Sequence, residues 1–461
     1  MPRDAHGLEV TAASQAAVEA FDATVMAYLG FAPDIGARLK ETLALDPEFA
    51  LAHCFKGYLF HLMGARTLVP RAVQELQAVQ PRAASLTPRE RCHVEALAAW
   101  CRLDLEGATR AWAAAARDHP HDVLAVKMQH YTHFYMGDTQ SLRDSVGGVW
   151  PAWSEDLPAY GYMLSMRAFG LEETGAYDEA LMLATRAHEL NPNDAWAVHA
   201  VAHVHDMRDH RLDGVAWLDR CLADGGRQWH NFRYHLYWHK ALMLLELERY
   251  DEALALYDAG VFDPQSQEYL DFTNDTSLLL RLELAGLGVG ERWHALAAKA
   301  RARLADHLLA FVDAHVVMPL AAVAPAEVAP FLTAIDTYRE RTDDTYAGVA
   351  TAVARDLCAA VAAWRTGRAQ DCVELLEPIR SLVHLIGGSH AQRDVFAQIL
   401  IEAAIAADRL TLARALLYER VSARPRNVRA WARLAEVLRR LGDADGALLA
   451  VRAAQGAYHE V

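Results

Sequence analysis

The chain has 461 residues, 53% of them hydrophobic and 23% charged, enough apolar material for one continuous core. Its 45 basic and 60 acidic side chains leave a net charge of −15, which is read here as excluding nucleic acid as the partner. No apolar run is read as reaching the roughly 20 residues of a membrane span. Nor does the start, Met1 to Gly7, resemble a secretory leader, and the six cysteines form no CxxC pair, so a cytoplasmic protein with reduced, buried thiols is expected.

Alanine and leucine dominate and β-branched runs between turns are scarce, so the chain reads as helix throughout. In chain order, Asp46-Pro47 followed by Ala52, His53, Cys54 and Phe55 marks a degenerate two-helix unit within an N-terminal region, 1–86. From 87 to 260 the units become regular. Ala96, Ala108 and Pro120 fall at positions 8, 20 and 32 of a tetratricopeptide unit, Gly137-Asp138 makes the next inter-helix turn, and Ala168, Ala180 and Pro192 repeat the pattern. Ala180 and Gly214 are 34 residues apart, the period of that unit. The step on to Ala253 is 39, because Cys221 to Arg227 inserts a longer loop.

Phe262-Asp263-Pro264 ends the series. The stretch 261–345, with Pro325, Pro330 and an acidic Thr342-Asp343-Asp344 turn, is expected to be an irregular helical bend. A helical-repeat lobe fills 346–461, where Pro425, Trp431, Gly442-Asp443 and Ala447 mark another unit. Its arginines between Arg409 and Arg440 read as a solvated face paired with neighbouring glutamates. The expected fold is all-α: a tetratricopeptide-like solenoid of antiparallel helix pairs whose C-terminal helical lobe closes over the concave groove.

The groove is lined by the first helix of each unit, through positions 2, 5, 9 and 12. Counted back from Gly214, these hold Trp196, His199, His203 and Asp206; counted from Ala253, the first two hold His235 and Trp238. The preceding unit supplies Tyr162, Ser165 and Phe169, and an earlier one Glu90 and His93. Residues four apart share a helix face, so the inner wall is rich in imidazole and aromatic rings. Imidazole near its ordinary pKa trades protons at pH 7, and flanking rings make a dry site for an apolar-faced small molecule. His199, His203 and His235 are therefore the candidate catalytic groups, with Asp206 orienting a histidine. His93, Trp196, Trp238, Tyr162, Phe169 and Arg393 are candidate ligand contacts. Hydrolysis or elimination would suit these groups. A protein partner held by a non-catalytic scaffold is the rival reading.

A metal is not the favoured reading. HExxH chemistry is excluded because Ala200 follows His199. A divalent ion held by His199, His203 and one of His235 or Asp206 stays open, and any cofactor is unassigned. His205 lies about 200° around the helix from His203 and reads as a core histidine; His239 is left undecided. Ser389 after two glycines caps a helix that carries Gln392, Arg393 and Asp394 in its first turn, either tying the lobe to the array or bringing Arg393 to an anionic ligand.

Several strings resemble the tetratricopeptide repeat protein 38 family: Asp194 to His205 (DAWAVHAVAHVH), His235 to His239 (HLYWH), Asp313-Ala-His315 and Gly387 to Phe396 (GGSHAQRDVF). Arg91-Cys-His93 and His130 with Phe134 to Gly137 resemble it too, so the likeness runs in order from about Phe21 to Arg420. It implies a cytosolic all-helical repeat protein and names no reaction. Carried over are His93, His130, His199, His203, His205, His235, His239, His315 and Gln392-Arg393-Asp394; the chain departs from the family at His133 and His390.

Overall fold

A computed structural model describes residues 1–341 and 344–459; Thr342 and Asp343 of the expected acidic turn lie outside the described residues. Among the described residues helix follows helix from Gln15 onward, and the one extended pairing is an isolated bridge between Arg3 and Glu9.

The same turn joins the two helices of each unit. One residue in left-handed backbone, with φ between 57° and 91°, follows the first helix: Leu103, Gly137, Gly175, Asp209, Glu248 and Gly286. The amide after it reaches back to a carbonyl five residues earlier, as in Asp104 to Ala99 (3.0 Å), His210 to His205 (2.8 Å) and Arg249 to Leu244 (2.8 Å). That bond satisfies a carbonyl the helix end would otherwise leave open, which is why the turn recurs at near-constant spacing. Gly367, Asp408 and Gly442 resume it in the C-terminal lobe. Small residues sit where paired helices touch: Ala168, Ala180, Ala202 and Ala253 are fully buried. At Gly214 even a methyl group would collide with Met243 and His205.

Eight helices position the site: α1 (Val123–Tyr135), α2 (Tyr160–Glu173), α3 (Tyr177–Leu190), α4 (Ala195–Met207), α5 (Arg211–Cys221), α6 (Phe232–Glu246), α7 (Tyr269–Leu284) and α8 (His390–Ala406). The first helices of successive units, α1, α2, α4 and α6, follow one another along the inner side, with α3 and α5 packed behind them. The stretch 261–345 holds helices Arg292–Arg301, Ala310–Val323 and Val328–Arg339 besides α7. Pro330 falls in the first turn of Val328–Arg339, where its missing amide costs no helical bond.

The C-terminal lobe folds back onto the array. Arg281 of α7 donates to the Ala391 carbonyl (2.7 Å), the His390 amide donates to Glu173 (3.1 Å), and Asn427 donates to Glu246 (2.7 Å). This corrects the reading of the arginine-rich stretch as wholly solvated. Arg420 grips Asp394 through two bonds (2.6 and 3.0 Å), and Arg424 lies 3.7 Å from Asp206, both pairs inside the seam between lobe and array. The expectation about apolar runs is corrected as well. Thr345–Arg365 is long and apolar enough, by composition, to cross a membrane (21 residues, mean hydropathy 1.3), yet 61% of it is buried within the fold as a core helix.

Candidate functional site

Asp194 starts α4 by accepting from the amides of Trp196 (2.9 Å) and Ala197 (3.1 Å), which fixes the helix register. From that register Trp196, His199 and His203 emerge on one face, toward α6. There His235 and His239, also four residues apart, point back. The four imidazoles pack together. Ring centroids are 4.3 Å apart for His199 and His203, 4.5 Å for His203 and His239, and 4.9 Å for His199 and His235. His199 Nε2 lies 3.1 Å from His235 Nε2, and His239 Nε2 lies 3.2 Å from the same atom. One ring nitrogen from each histidine falls within 4.8 Å of the other three, a set able to hold a metal ion.

Two neighbouring helices orient the rings. Glu172, at the end of α2, meets His203 Nδ1 at 3.1 Å, and Asn274 of α7 accepts from His235 Nδ1 at 3.0 Å. Trp238 stacks on His235 (5.3 Å, 13° between planes) and donates to Ser277 (3.1 Å). Burial drives His199 and His239 well below the ordinary histidine range and takes His235 down to about 3, with the Asn274 hydrogen bond opposing. His203 differs: burial opposes its charge most, but Glu172, through its charge and its hydrogen bond, together with the Glu173 and Asp206 charges draws it up. The expectation of imidazoles near their ordinary pKa is thus corrected for three of the four rings. They stay neutral at pH 7.

His199 and His235 form part of the wall of a cavity of about 290 Å³. Its other walls are mostly aromatic: Tyr28, Phe31, Tyr131, Trp196, Phe232 and Tyr269, with Phe31 stacked on Phe232 at 4.2 Å. The C-terminal lobe reaches the same space through Ser389 and Gln392. Lys127 of α1 lies behind the wall, its Nζ 4.0 Å from the Tyr131 ring and 4.3 Å from that of Trp196. Burial pushes this amine down to about 7, with the Asp194 charge opposing.

The register predicted from sequence brings Trp196, His199, His203 and His235 together. The remaining candidates lie elsewhere. Asp206 faces Arg424, and the carboxylate that touches His203 is Glu172, which corrects the orienting role given to Asp206. His93 is a buried core group held by Asp122 (2.9 Å) and the Tyr58 hydroxyl (3.1 Å), away from the cavity. Phe169 packs beneath His199 and His203 (5.3 Å to each), Trp238 backs His235, and the Tyr162 hydroxyl accepts from Asn191 (3.1 Å); none of the three lines the cavity. Arg393 turns to the Gly388 carbonyl and lies 3.9 Å from Glu173, tying lobe to array rather than lining the aromatic cavity. Asp313 bonds His307 (3.1 Å) and Tyr346 instead of His315.

Sequence reasoning left His239 undecided and missed Glu172, Asn274 and Lys127. The HxxxH spacing of His235 and His239 was the usable signal for the first. Glu172 and Asn274 come from helices whose approach depends on how units stack, which local spacing does not encode.

No family profile matches the chain. Among solved structures, the human IFIT1 dimer with PPP-AAAA is similar over 88% of this chain and 90% of that one, at 11% identity and a TM-score of 0.40. The human IFIT1 dimer with m7Gppp-AAAA covers 88% and 89%, at 12% identity and 0.35. A tetratricopeptide repeat protein from Parabacteroides merdae covers 72% and 91%, at 9% and 0.26. At these identities the likeness concerns the helical-repeat architecture alone. The expectation that excluded nucleic acid is corrected on physical grounds: a summed charge of −15 averages over every face and does not exclude such a partner.

Proposed function

We propose that this chain is a small-molecule-binding helical-repeat protein. Its ligand is an apolar, flat-faced molecule seated among Phe31, Trp196, Phe232 and Tyr131, with a polar end against His199 and His235. The observation that carries this reading is the lining: Ser389 and Gln392 of the returning lobe meet the aromatic rings of the repeat helices around one partly open cavity of about 290 Å³. That size and those walls suit a small apolar-faced ligand better than an extended peptide, which needs a continuous channel. His199 and His235, kept neutral by burial, act as hydrogen-bonding and lone-pair partners. That weakens unaided acid–base hydrolysis or elimination as the activity, since a base held near 3 takes up little proton at pH 7.

The same reading builds the binding site from the 87–260 array together with Tyr28 and Phe31 of the N-terminal region, Tyr269 of the 261–345 stretch, and Ser389 and Gln392 of the 346–461 lobe. It keeps the chain in the cytoplasm and beside the tetratricopeptide repeat protein 38 family, on the strings already quoted. A fluorescent probe of the right shape tests it. 2-Naphthol should bind at one site per chain, quench tryptophan emission, and lose that site in Leu62→Trp, which fills the cavity from its rim. A dissociation constant weaker than about 1 mM, or equal binding to Leu62→Trp, would remove the cavity as the ligand site.

A further inference from the structure

The four imidazoles have more lone pairs than donors to meet them. His235 Nδ1 faces the Asn274 carbonyl oxygen and so must donate to it (3.0 Å), which leaves a lone pair on Nε2 of the neutral ring. His199 Nε2 (3.1 Å) and His239 Nε2 (3.2 Å) both approach that single nitrogen. Two imidazoles cannot each make a good bond to one lone pair. His203 Nδ1 is held by Glu172, and its Nε2, turned toward the other rings, has no protein partner; a metal ion there would take the place of the second proton that Glu172 favours. His199 Nδ1 and His239 Nδ1 also lack partners, and all four residues are buried. Orphaned nitrogens of this kind are rare inside proteins and ask for a reason.

We infer that His199, His203, His235 and His239 together bind one divalent first-row transition ion of the zinc class. Neutral imidazole is the nitrogen donor that such ions prefer. Two of the nitrogen separations are 3.1 and 3.2 Å, close to the edge of about 3.3 Å in a tetrahedron with metal–nitrogen bonds of about 2.0–2.1 Å. Glu172 and Asn274 supply the outer partners that hold ligating rings in one tautomer. The ion accepts the lone pairs that protein groups leave unmatched. Because His199 and His235 also line the aromatic cavity, the ion lies at its edge, with all four tetrahedral positions filled by imidazole. No glutamate stands beside His199 to act as a base, so the site differs from an HExxH peptidase. This inference goes beyond the ligand reading and stands without it.

The test uses the full chain, purified without nickel resin, stripped with chelator and titrated with Co2+. One equivalent should give the intense visible absorption of tetrahedral cobalt, which Zn2+ then bleaches. His199→Ala with His235→Ala should abolish the band. His205→Ala with His210→Ala, which removes two members of the more exposed His205–His210–Asp213 cluster, should leave it unchanged. Should the first double variant fail to fold, Glu172→Gln and Asn274→Ala report instead, each weakening Co2+ binding by about 10–100-fold. A wild-type chain without the band at millimolar Co2+ overturns the inference. So does a band that survives in the folded His199/His235 variant, or outer-partner variants that bind as tightly as wild type. Loss of 2-naphthol binding with the cobalt band intact would sink the ligand reading alone.

Discussion

Asp122 holds three groups at once, and its removal gives a stability loss that can be worked out. Its Oδ1 caps α1 by accepting from the Ala125 amide (3.0 Å), while Oδ2 accepts from His93 (2.9 Å) and lies 3.4 Å from Arg89. Asp122 is 3% exposed and His93 fully buried. Asp122→Ala removes a helix cap worth about 1 kcal/mol. It also leaves the buried His93 ring without its carboxylate, at a cost of about 1–3 kcal/mol, while Arg89 keeps Asp4 at 3.0 Å. The expected loss is therefore about 2–4 kcal/mol, a large share of an ordinary domain's stability. Burial alone would raise the Asp122 pKa, but the His93 and Arg89 charges outweigh burial and hold it well below the carboxylate range. A depressed carboxylate stabilises the fold above its unfolded value of about 3.9, and that contribution is lost as pH falls toward the folded pKa. The gap between wild type and Asp122→Ala should thus be full at pH 7 and narrow below about pH 4. Urea unfolding across pH measures it. A loss under about 1.5 kcal/mol at pH 7, or a gap that does not change with pH, would refute His93 as a paired core group and return it to the ligand candidates.

Burial pushes the Asp271 carboxyl up to about 7, with its Ser266 hydrogen bond opposing, so its stabilising effect is complete below about pH 3.9 and is lost as pH rises to about 7. Asp271→Asn should match wild type near pH 4 and exceed it by roughly 4 kcal/mol at pH 8 in chemical denaturation, and a pH-independent difference would contradict this. Gly137 has φ 68°, and a methyl group there would strike the His384 carbonyl, so Gly137→Ala should cost at least about 2 kcal/mol and lower the thermal midpoint; an unchanged midpoint would argue against that close approach of array and lobe. Asp394→Ala, which strips Arg420 of two bonds, should cost about 3–5 kcal/mol and raise protease cleavage near the lobe seam.

The fold was legible because its unit is local. Ala168, Ala180, Gly214 and Ala253 announce helix packing, and Gly137-Asp138 and Gly442-Asp443 announce the left-handed turn. The same register turned Trp196, His199, His203 and His235 inward, and the HxxxH spacing of His235 and His239 put the last ring within reach of them. What the sequence did not disclose depends on stacking and closure. Glu172 and Asn274 arrive from other helices. Tyr28 and Phe31 enter the cavity from the far N-terminal region. Asp206 looked like the natural partner of His203, one turn away, until the returning lobe placed Arg424 beside it. Arg420 and Arg424 read as surface residues for the same reason: their partners Asp394 and Asp206 lie on helices far from them in sequence.

Convergence of four imidazoles beside an aromatic cavity is tested most directly by anomalous diffraction at the zinc edge from crystals of the zinc-loaded chain. One strong peak is expected among His199, His203, His235 and His239, about 2.0–2.1 Å from a nitrogen of each ring. Density that shows these rings turned apart, or a peak only at His205 and His210, would contradict it.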